Sequence, residues 1–164
     1  MERVSIRLAN AGDLAAMARV HLASVRVLCS GHYGREEIER WTTVDPGLYA
    51  RLLRSATVYV AARSGVVVGF AALSVARREI RAVYVDPAAA GGGVGGRLLT
   101  RLERLARALG VRELHLAATL NAVAFYERHG WALDEAHPAL ANHRCVPMYK
   151  RLAGVGRVRK RAVR

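Results

Sequence analysis

The chain has 164 residues and a formal net charge of +13, from 26 lysines and arginines against 13 aspartates and glutamates. This length suits one domain that buries a core without metals or disulfides, and an apolar content of 52% excludes a disordered polyelectrolyte. No uncharged apolar run reaches the ~18 residues of a membrane span, and the start of the chain lacks a signal-peptide pattern, so we expect a cytoplasmic protein without membrane contact.

The first third of the chain combines one short strand with helices. Residues Val4–Leu8 alternate in polarity as a strand does, and an apolar stripe from Asp13 to Ser30 predicts a helix. Shorter helices are predicted over Arg35–Trp41 and Leu48–Arg54, separated by the turn Asp45-Pro46-Gly47. This part of the chain therefore supplies a helical layer between the first strand and those that follow.

The remaining elements alternate between strands and helices. Three strands are predicted first, over Thr57–Ala62, Val66–Val75 and Glu79–Val85. After them the pattern predicts a helix, a strand, a helix and two closing strands: Arg97–Leu109, Val111–Ala117, Ala122–His129, Trp131–Leu133 and Val146–Arg151. This order predicts an α/β protein with a mixed sheet and helices on both of its faces.

Much of the positive charge is concentrated at the end of the chain. The segment from Lys150 to Arg164 holds seven basic residues and no acidic one, more than half of the net charge. We expect a single domain over residues 1–152 and a basic, disordered tail over residues 153–164. The tail also permits an alternative reading as a nucleic-acid-binding module, but it lacks aromatic stacking residues and no DNA- or RNA-binding motif occurs.

The two cysteines give no sign of a metal site or of a disulfide framework. Cys29 and Cys145 lie far apart in the sequence and lack metal-ligand spacing. We therefore expect both thiols to be reduced and structural, and we expect no metal.

The most informative segment is a glycine-rich turn, with five glycines among residues 91–96 directly before a predicted helix. Glycine lets the backbone adopt positive φ and approach a ligand closely, and the first amides of a helix favour anions. The turn therefore predicts a pyrophosphate site, with a flexible linker as the alternative. The turn does not indicate a P-loop, because Gly96-Arg97 lacks the Lys-Ser/Thr ending. A dinucleotide-binding fold is weakly indicated too, because such a fold has its glycine turn after the first strand, whereas here the turn follows several strands near the middle of the chain.

Two motifs together resemble the GNAT superfamily of N-acetyltransferases. Val85-Asp86-Pro87 and the turn Ala90–Gly95 resemble the family's strand end and its Gln/Arg-x-x-Gly-x-Gly/Ala turn, with Ala90 replacing the usual Arg or Gln. Residues Asn121–Trp131 resemble its Asn…Ala…Phe-Tyr-Glu-x-x-Gly-Phe segment. His32-Tyr33 before Ile38-x-x-Trp41 resembles the YafP-type subgroup. The resemblance covers about Val4 to Leu152 and implies a mostly antiparallel central sheet of six to seven strands with about four helices.

The resemblance also implies acetyl-CoA as the acyl donor. The strand before the turn would bind the pantetheine arm through its backbone, and the turn would bind the pyrophosphate through its amides. Either Thr119 or Asn121 would supply the family's asparagine contact, because the usual position holds Thr119. The implied cofactor-binding residues are Val83, Tyr84, Val85, Gly91, Gly92, Gly93, Val94, Gly95, Gly96, Thr119 and Asn121.

The implied reaction is direct attack of a primary amine on the thioester. Tyr126 stands where the family has its general acid, and a phenol is protonated at neutral pH. Glu79 is the candidate general base, because simple alternation would put it on the strand face of Val83 and Val85. His115 or a water relay are the other candidates for the base.

The acceptor itself is not identified by the sequence. His32, Tyr33 and Trp41 on the front segments are candidate substrate-binding residues, although aromatic residues at helical spacing more often belong to a core. The partner would be a small-molecule or peptide amine, and homodimer formation stays open. A GNAT-fold sensor that binds acyl-CoA without catalysis is a further alternative.

Overall fold

A computed structural model describes residues 3–136 and 144–154. Most of the tail predicted over residues 153–164 therefore lies outside the described residues. The strands are β1 (Val4–Leu8), β2 (Thr57–Arg63), β3 (Val66–Ser74), β4 (Glu79–Val85), β5 (Glu113–Thr119), β6 (Ala132–Leu133) and β7 (Cys145–Arg151). The α-helices are α1 (Leu14–Leu28), α2 (Arg35–Thr42), α3 (Leu48–Ser55), α4 (Val94–Ala108) and α5 (Val123–Arg128).

The strands form one sheet in the order β1-β2-β3-β4-β5-β7-β6. Every neighbouring pair is antiparallel except β4 and β5, which run parallel. This confirms the predicted α/β class and the mostly antiparallel sheet of seven strands, with five α-helices in the described residues where about four were expected. None of the helices in the described ranges is long and apolar enough to cross a membrane.

Each face of the sheet is covered by a different set of helices. On one face, α4 buries Leu98, Leu102 and Ala106, which recur at the three- and four-residue spacing of an apolar stripe. On the other face, Met17 and Val20 of α1 are fully buried in a second core cluster. The sheet is thus buried on both sides, and any site between its strands opens onto both helical layers.

Two element boundaries differ from the prediction around α4. The helix begins at Val94 instead of Arg97, because Gly93 serves as its N-cap. Strand β5 begins at Glu113 instead of Val111, because the amide of Val111 donates to the carbonyl of Ala106 and so completes the end of α4.

Strand β4 contains a β-bulge. On β3, Ala72 is opposite Ala82 and the next residue, Leu73, is opposite Ile80, so Arg81 is an extra residue on β4. An extra residue reverses the alternation of side chains on the bulged strand.

The bulge corrects the expectation that Glu79 shares a face with Val83 and Val85. Ile80 packs in the same core cluster as Val83 and Val85, beneath α4. Its neighbour Glu79 therefore belongs to the opposite face, which α1 covers. Simple alternation fails here because the sequence pattern does not reveal the extra residue.

Candidate active site

The central feature of the site is a cleft that opens where β4 and β5 part. The two strands are paired at Glu79 and His115, and the amide of His115 donates to the carbonyl of Arg78 at 2.9 Å. No further β4–β5 pair occurs along these two fully described strands, although β5 stays paired with β7 as far as Thr119. The separation leaves an open cleft of about 1120 Å³ between their carboxyl ends.

The glycine-rich turn stands at one side of this cleft. Gly91 and Gly93 both have φ of +77°, which non-glycine residues rarely adopt, and Gly93 is the N-cap of α4. The first helical bond described for α4 runs from the amide of Arg97 to the carbonyl of Gly93, at 3.1 Å. The amides of residues 94–96 thus precede the helical hydrogen-bond ladder, as is usual for the first turn of a helix.

The turn packs closely against α5 at two of its glycines, Gly95 and Gly96. A Cβ on Gly95 would lie 3.3 Å from the ring of Phe125, and a Cβ on Gly96 would lie 2.6 Å from Nε2 of His129. Nδ1–H of His129 donates to the carbonyl of Phe125 at 2.7 Å, which holds the imidazole in place. A side chain at residue 95 would need Phe125 to move by a few tenths of an ångström, and one at residue 96 would have to displace the imidazole of His129. At residue 93 glycine is favoured by backbone conformation instead.

The predicted cofactor-binding residues meet at this cleft with one exception. The amide of Gly92 donates within the turn to the carbonyl of Ala89, at 3.4 Å, and Gly92 does not line the cleft. The wall includes the other predicted residues, namely Val83, Tyr84, Val85, Gly91, Gly93, Val94, Gly95, Gly96, Thr119 and Asn121. The structure thus brings together two segments that are more than 20 residues apart in the sequence.

Basic side chains that the sequence reading did not single out also line the cleft. They are Arg97, Arg101, Arg104 and Arg128. The first three recur along α4 at helical spacing, which was the available signal. The described wall residues include no aspartate or glutamate, so this part of the cleft suits an anion.

Tyr126 lies on the wall from α5 with only 7% of its surface exposed. Burial raises the pKa of its phenol above the ordinary value, so the hydroxyl stays protonated at neutral pH. Its ring contacts those of Phe125 and Trp131 edge-on, with centroids 5.0 and 5.9 Å away. Trp131 in turn donates from Nε1 to the buried carboxylate of Glu103, which ties α5 to α4.

Neither of the predicted bases lies on the described wall of the cleft. Glu79 stands at the closed end where β4 and β5 are paired, and its Oε2 lies 3.7 Å from Nε of Arg81. His115 lines a separate small pocket, with Nε2 3.2 Å from Glu113 and Nδ1 3.3 Å from Asp134. His115 therefore lines a different pocket from the cleft, and its role as a base stays a prediction.

Of the three candidate substrate residues in the first third of the chain, His32, Tyr33 and Trp41, only Trp41 lines the cleft. Trp41 lines the cleft and packs edge-on against Tyr33, with ring centroids 4.6 Å apart. Tyr33 is 8% exposed; its hydroxyl accepts from the amide of Leu120 at 2.8 Å and donates to the carbonyl of Arg144. His32 is exposed, and neither it nor Tyr33 lines the cleft. For these two residues substrate contact stays a prediction, and the hydroxyl of Tyr33 is used by the fold.

The wall opposite α4 contains further residues that sequence reasoning missed. His21 and Ser24 from α1, together with both cysteines, line the cleft there. The thiol of Cys29 donates to Oδ1 of Asn121 at 3.4 Å, and both thiols are free. No group of three or more potential metal ligands occurs among the described residues. These wall residues come from α1 and β7, which only the fold brings together.

A polar contact between helices marks this second wall. Nδ1 of His21 lies 2.9 Å from the hydroxyl oxygen of Tyr49 on α3, and its ring lies 4.3 Å from that of Tyr84 on β4. His21 is 8% exposed, and burial lowers its pKa, so the imidazole is neutral at neutral pH.

This fold and cleft define a class of acyl-transferring protein. The family model of the acetyltransferase (GNAT) domain matches residues 29–152, about three quarters of the chain. The chain therefore belongs to the GNAT superfamily and is an N-acetyltransferase.

Among curated relatives, the chain is similar to the uncharacterized N-acetyltransferase YafP of Escherichia coli (strain K12). The two are 28% identical over 131 residues, which cover 80% of this chain and 83% of YafP. It is also 39% identical to the IAA acetyltransferase of Azospirillum brasilense over 80 residues, 44% of this chain and 52% of that protein.

Solved structures share the whole fold. A GCN5-related N-acetyltransferase from Rhodopseudomonas palustris has a TM-score of 0.83 at 29% identity, covering 93% of this chain and 98% of that one. The PaiA N-acetyltransferase of Thermoplasma acidophilum, solved in complex with coenzyme A, has a TM-score of 0.79 at 22% identity, covering 91% and 99%.

Proposed function

We propose that the chain transfers an acetyl group from acetyl-CoA to a primary amine, with the cofactor lying in the cleft between β4 and β5. The observation that carries this proposal is the glycine turn, whose helix-initial amides stand on the cleft wall beside Arg97. Amides in this arrangement bind phosphate oxygens, and the helix dipole adds to the attraction.

The turn fits a diphosphate better than it fits a plain connector. A Cβ at Gly95 would lie 3.3 Å from the ring of Phe125, and the glycines leave bare backbone that a ligand can approach closely. The arginines of α4 and α5 add positive charge, and the described wall offers no carboxylate to repel an anion. We propose that these basic groups offset the absence of the usual Arg or Gln at Ala90, with Arg97 also donating from Nη2 to the carbonyl of Val4 at 2.8 Å.

The parted strands suit an extended chain such as a pantetheine arm. Val83 and Val85 lie on the cleft wall on β4, where β5 no longer pairs with it. Thr119 and Asn121 stand on the wall from the end of β5. We assign these four residues to the pantetheine arm, since an unpaired strand edge can bind amide groups as a further strand would.

Tyr126 is our candidate general acid. Acetyl-CoA supplies the acetyl group as a thioester, whose sulfur leaves as a thiolate. The hydroxyl of Tyr126 keeps its proton because burial raises its pKa, so it can donate that proton from Oη to the leaving sulfur.

Glu79 remains a candidate base that would act through water. Its carboxylate belongs to the closed end of the cleft and lies near Arg81, so direct contact with an amine in the cleft is not supported. The Glu79→Gln variant tests this role, since it keeps the shape of the side chain and removes the proton acceptor.

On the acceptor side we assign Trp41 to the amine substrate. It lines the cleft among apolar residues of the first three helices, Val25, Leu28, Val44 and Leu48. This surface favours an acceptor with an apolar body.

Calorimetry with acetyl-CoA tests the proposal directly. We expect binding by the wild type and a loss of about 10- to 100-fold in Gly93→Val and Gly95→Val, since each hydrogen bond to a charged group contributes about 1.5–3 kcal/mol. Gly110→Val is the matched control, because Gly110 also has positive φ, +80°, but lies beyond α4 and off the cleft. Undiminished binding in the turn variants, or none in the wild type, would overturn the proposal.

A panel of amines with the wild type then separates an enzyme from a sensor. Turnover of any apolar primary amine supports transfer. Binding of acetyl-CoA without turnover across the panel would favour the non-catalytic alternative.

A further inference from the structure

The attacking amine must lose a proton, and the described cleft wall offers few groups that can take one. It holds no carboxylate, and its imidazoles are those of His21 and His129. His129 stands beside Gly96 at the phosphate end, with its Nδ1–H committed to the carbonyl of Phe125. His21 belongs to the opposite wall, on the side of Trp41.

His21 is held in a fixed orientation by contacts from two other elements. Its Nδ1 lies 2.9 Å from the hydroxyl oxygen of Tyr49 on α3. Its ring lies 4.3 Å from the ring of Tyr84, the residue between the two valines assigned to the pantetheine arm. The imidazole therefore stands beside the strand along which the thioester would lie.

We propose that His21 is a catalytic base that accepts the proton of the acceptor amine, with Tyr49 as its positioning residue. This inference rests on the proposed function. The proposal requires the tautomer in which Nδ1–H donates to Oη of Tyr49, because only that tautomer leaves the lone pair of Nε2 available. An N–H bond of the acceptor ammonium breaks, its proton forms a bond to Nε2, and the electron pair stays on the amine nitrogen, which becomes a nucleophile.

The groups that face His21 keep it neutral and able to accept a proton. Tyr49 and Tyr84 face it from α3 and β4, and the thiols of Cys29 and Cys145 lie on the same side of the cleft. Burial raises the pKa of each of these four groups, so all of them are uncharged at neutral pH.

The charged groups of the other elements packed against α1 include Asp13, which is paired with Arg7, and Glu37 of α2, which is paired with Arg144. Strand β3 contributes Phe70 to this cluster, and α2 contributes Trp41 to the wall. Arg19, on the same helix, is engaged by Asp86 at 2.8 Å and by the carbonyl of Val67. Burial is accordingly the cause that lowers the pKa of His21.

The lowered pKa of His21 sets the expected pH dependence of the reaction. Below its lowered pKa, His21 is protonated and cannot accept a proton, so kcat/KM should fall as pH drops through that value. Above it, the neutral imidazole is present and activity should reach a plateau.

The test compares pH profiles of kcat/KM for wild type, His21→Gln, Glu79→Gln and the control His115→Gln, with an apolar primary amine. We expect the kcat/KM of His21→Gln to be about 100-fold lower than that of the wild type. Its pH profile should also lose the acidic limb, that is, the fall of kcat/KM at low pH. His115→Gln, the same change outside the cleft, should keep both. The inference is overturned if the kcat/KM of His21→Gln stays within twofold of the wild-type value. It is also overturned if His21→Gln keeps the fall of kcat/KM at low pH while Glu79→Gln loses it.

A second measurement does not depend on turnover. NMR titration of the free protein should show His21 with a pKa below the ordinary 6.5, and Tyr49→Phe should shift it while leaving the imidazole in place. Calorimetry should show that His21→Gln binds acetyl-CoA as the wild type does, so a failure of this inference is distinct from a failure of the proposed function. An ordinary pKa that Tyr49→Phe does not change would contradict it, even if His21→Gln failed to fold.

Discussion

The wall formed by α4 with its glycine turn and the wall formed by the first three helices differ in what they present to the cleft. The α4 wall offers backbone amides and arginines, from a turn in which side chains are missing. The opposite wall offers aromatic, apolar and thiol side chains, with His21 as its imidazole. One wall suits a polyanion and the other suits an apolar molecule.

The difference shows how each half of a two-substrate site is specified. The proposed phosphate site uses backbone geometry, so a short run of residues would carry it, and that run lies together at the N-terminus of α4. The proposed acceptor side is lined by side chains such as those of His21 and Cys145, which lie more than 100 residues apart in the sequence. The first can be read along the chain, whereas the second depends on packing.

The largest effect is expected from a change at Tyr126, which lines the cleft from α5 beside the α4 wall. It tests whether this side of the cleft takes part in the chemistry as well as in binding. We expect Tyr126→Phe to lower kcat by about 10²- to 10⁴-fold, because it removes the proton that Oη would donate to the leaving sulfur. Its affinity for acetyl-CoA should stay within about twofold, since the ring and its packing remain. Steady-state kinetics and calorimetry measure the two quantities.

Tyr149→Phe is the control for this variant, since Tyr149 lies on β7 at the separate small pocket and off the cleft. If turnover of Tyr126→Phe were unchanged, Tyr126 would have no part in the chemistry.

A smaller effect is expected from Tyr33, which packs behind the opposite wall against Trp41 and joins segments far apart in the chain. Tyr33→Phe leaves the amide of Leu120 and the carbonyl of Arg144 without their shared partner. We expect unfolding free energy to fall by about 1–2 kcal/mol, with acetyl-CoA affinity unchanged. Urea denaturation and calorimetry measure this.

Thr42→Val is a suitable comparison, since it removes a hydroxyl that only bonds within α2. Should Tyr33→Phe keep full stability yet raise the KM for the amine strongly, Tyr33 would contact the acceptor after all.

The smallest effect is expected from removal of the basic tail, because both walls of the cleft are formed by residues before it. A chain that ends after Gly154 keeps the buried residue Leu152 and both walls. We expect its affinity for acetyl-CoA to stay within about twofold, because the proposed phosphate contacts come from the turn and from α4. A large loss on truncation would mean that the tail supplies phosphate-binding charge.

Most of the fold could be predicted, because each element carries a local pattern. Strand β4 has the predicted bounds, and the glycine turn stands directly before the helix that was expected. The bulge at Arg81 could not be predicted, since it is visible only in the register between β3 and β4. That one extra residue moved Glu79 to the other face and so weakened the case for it as a direct base.

The sequence alone determined the sheet and the turn at the head of α4, and two of its motifs resemble the GNAT superfamily. The sheet and the turn depend on periodicity and on the conformational freedom of glycine, which act over a few neighbouring residues. Only the tertiary structure decided that Tyr33 supports the fold, that Trp41 reaches the cleft, and that His21 meets Tyr49 and Tyr84 there. The reason is that side-chain contacts between distant segments are set by the packing of helices on the sheet, which no local pattern records.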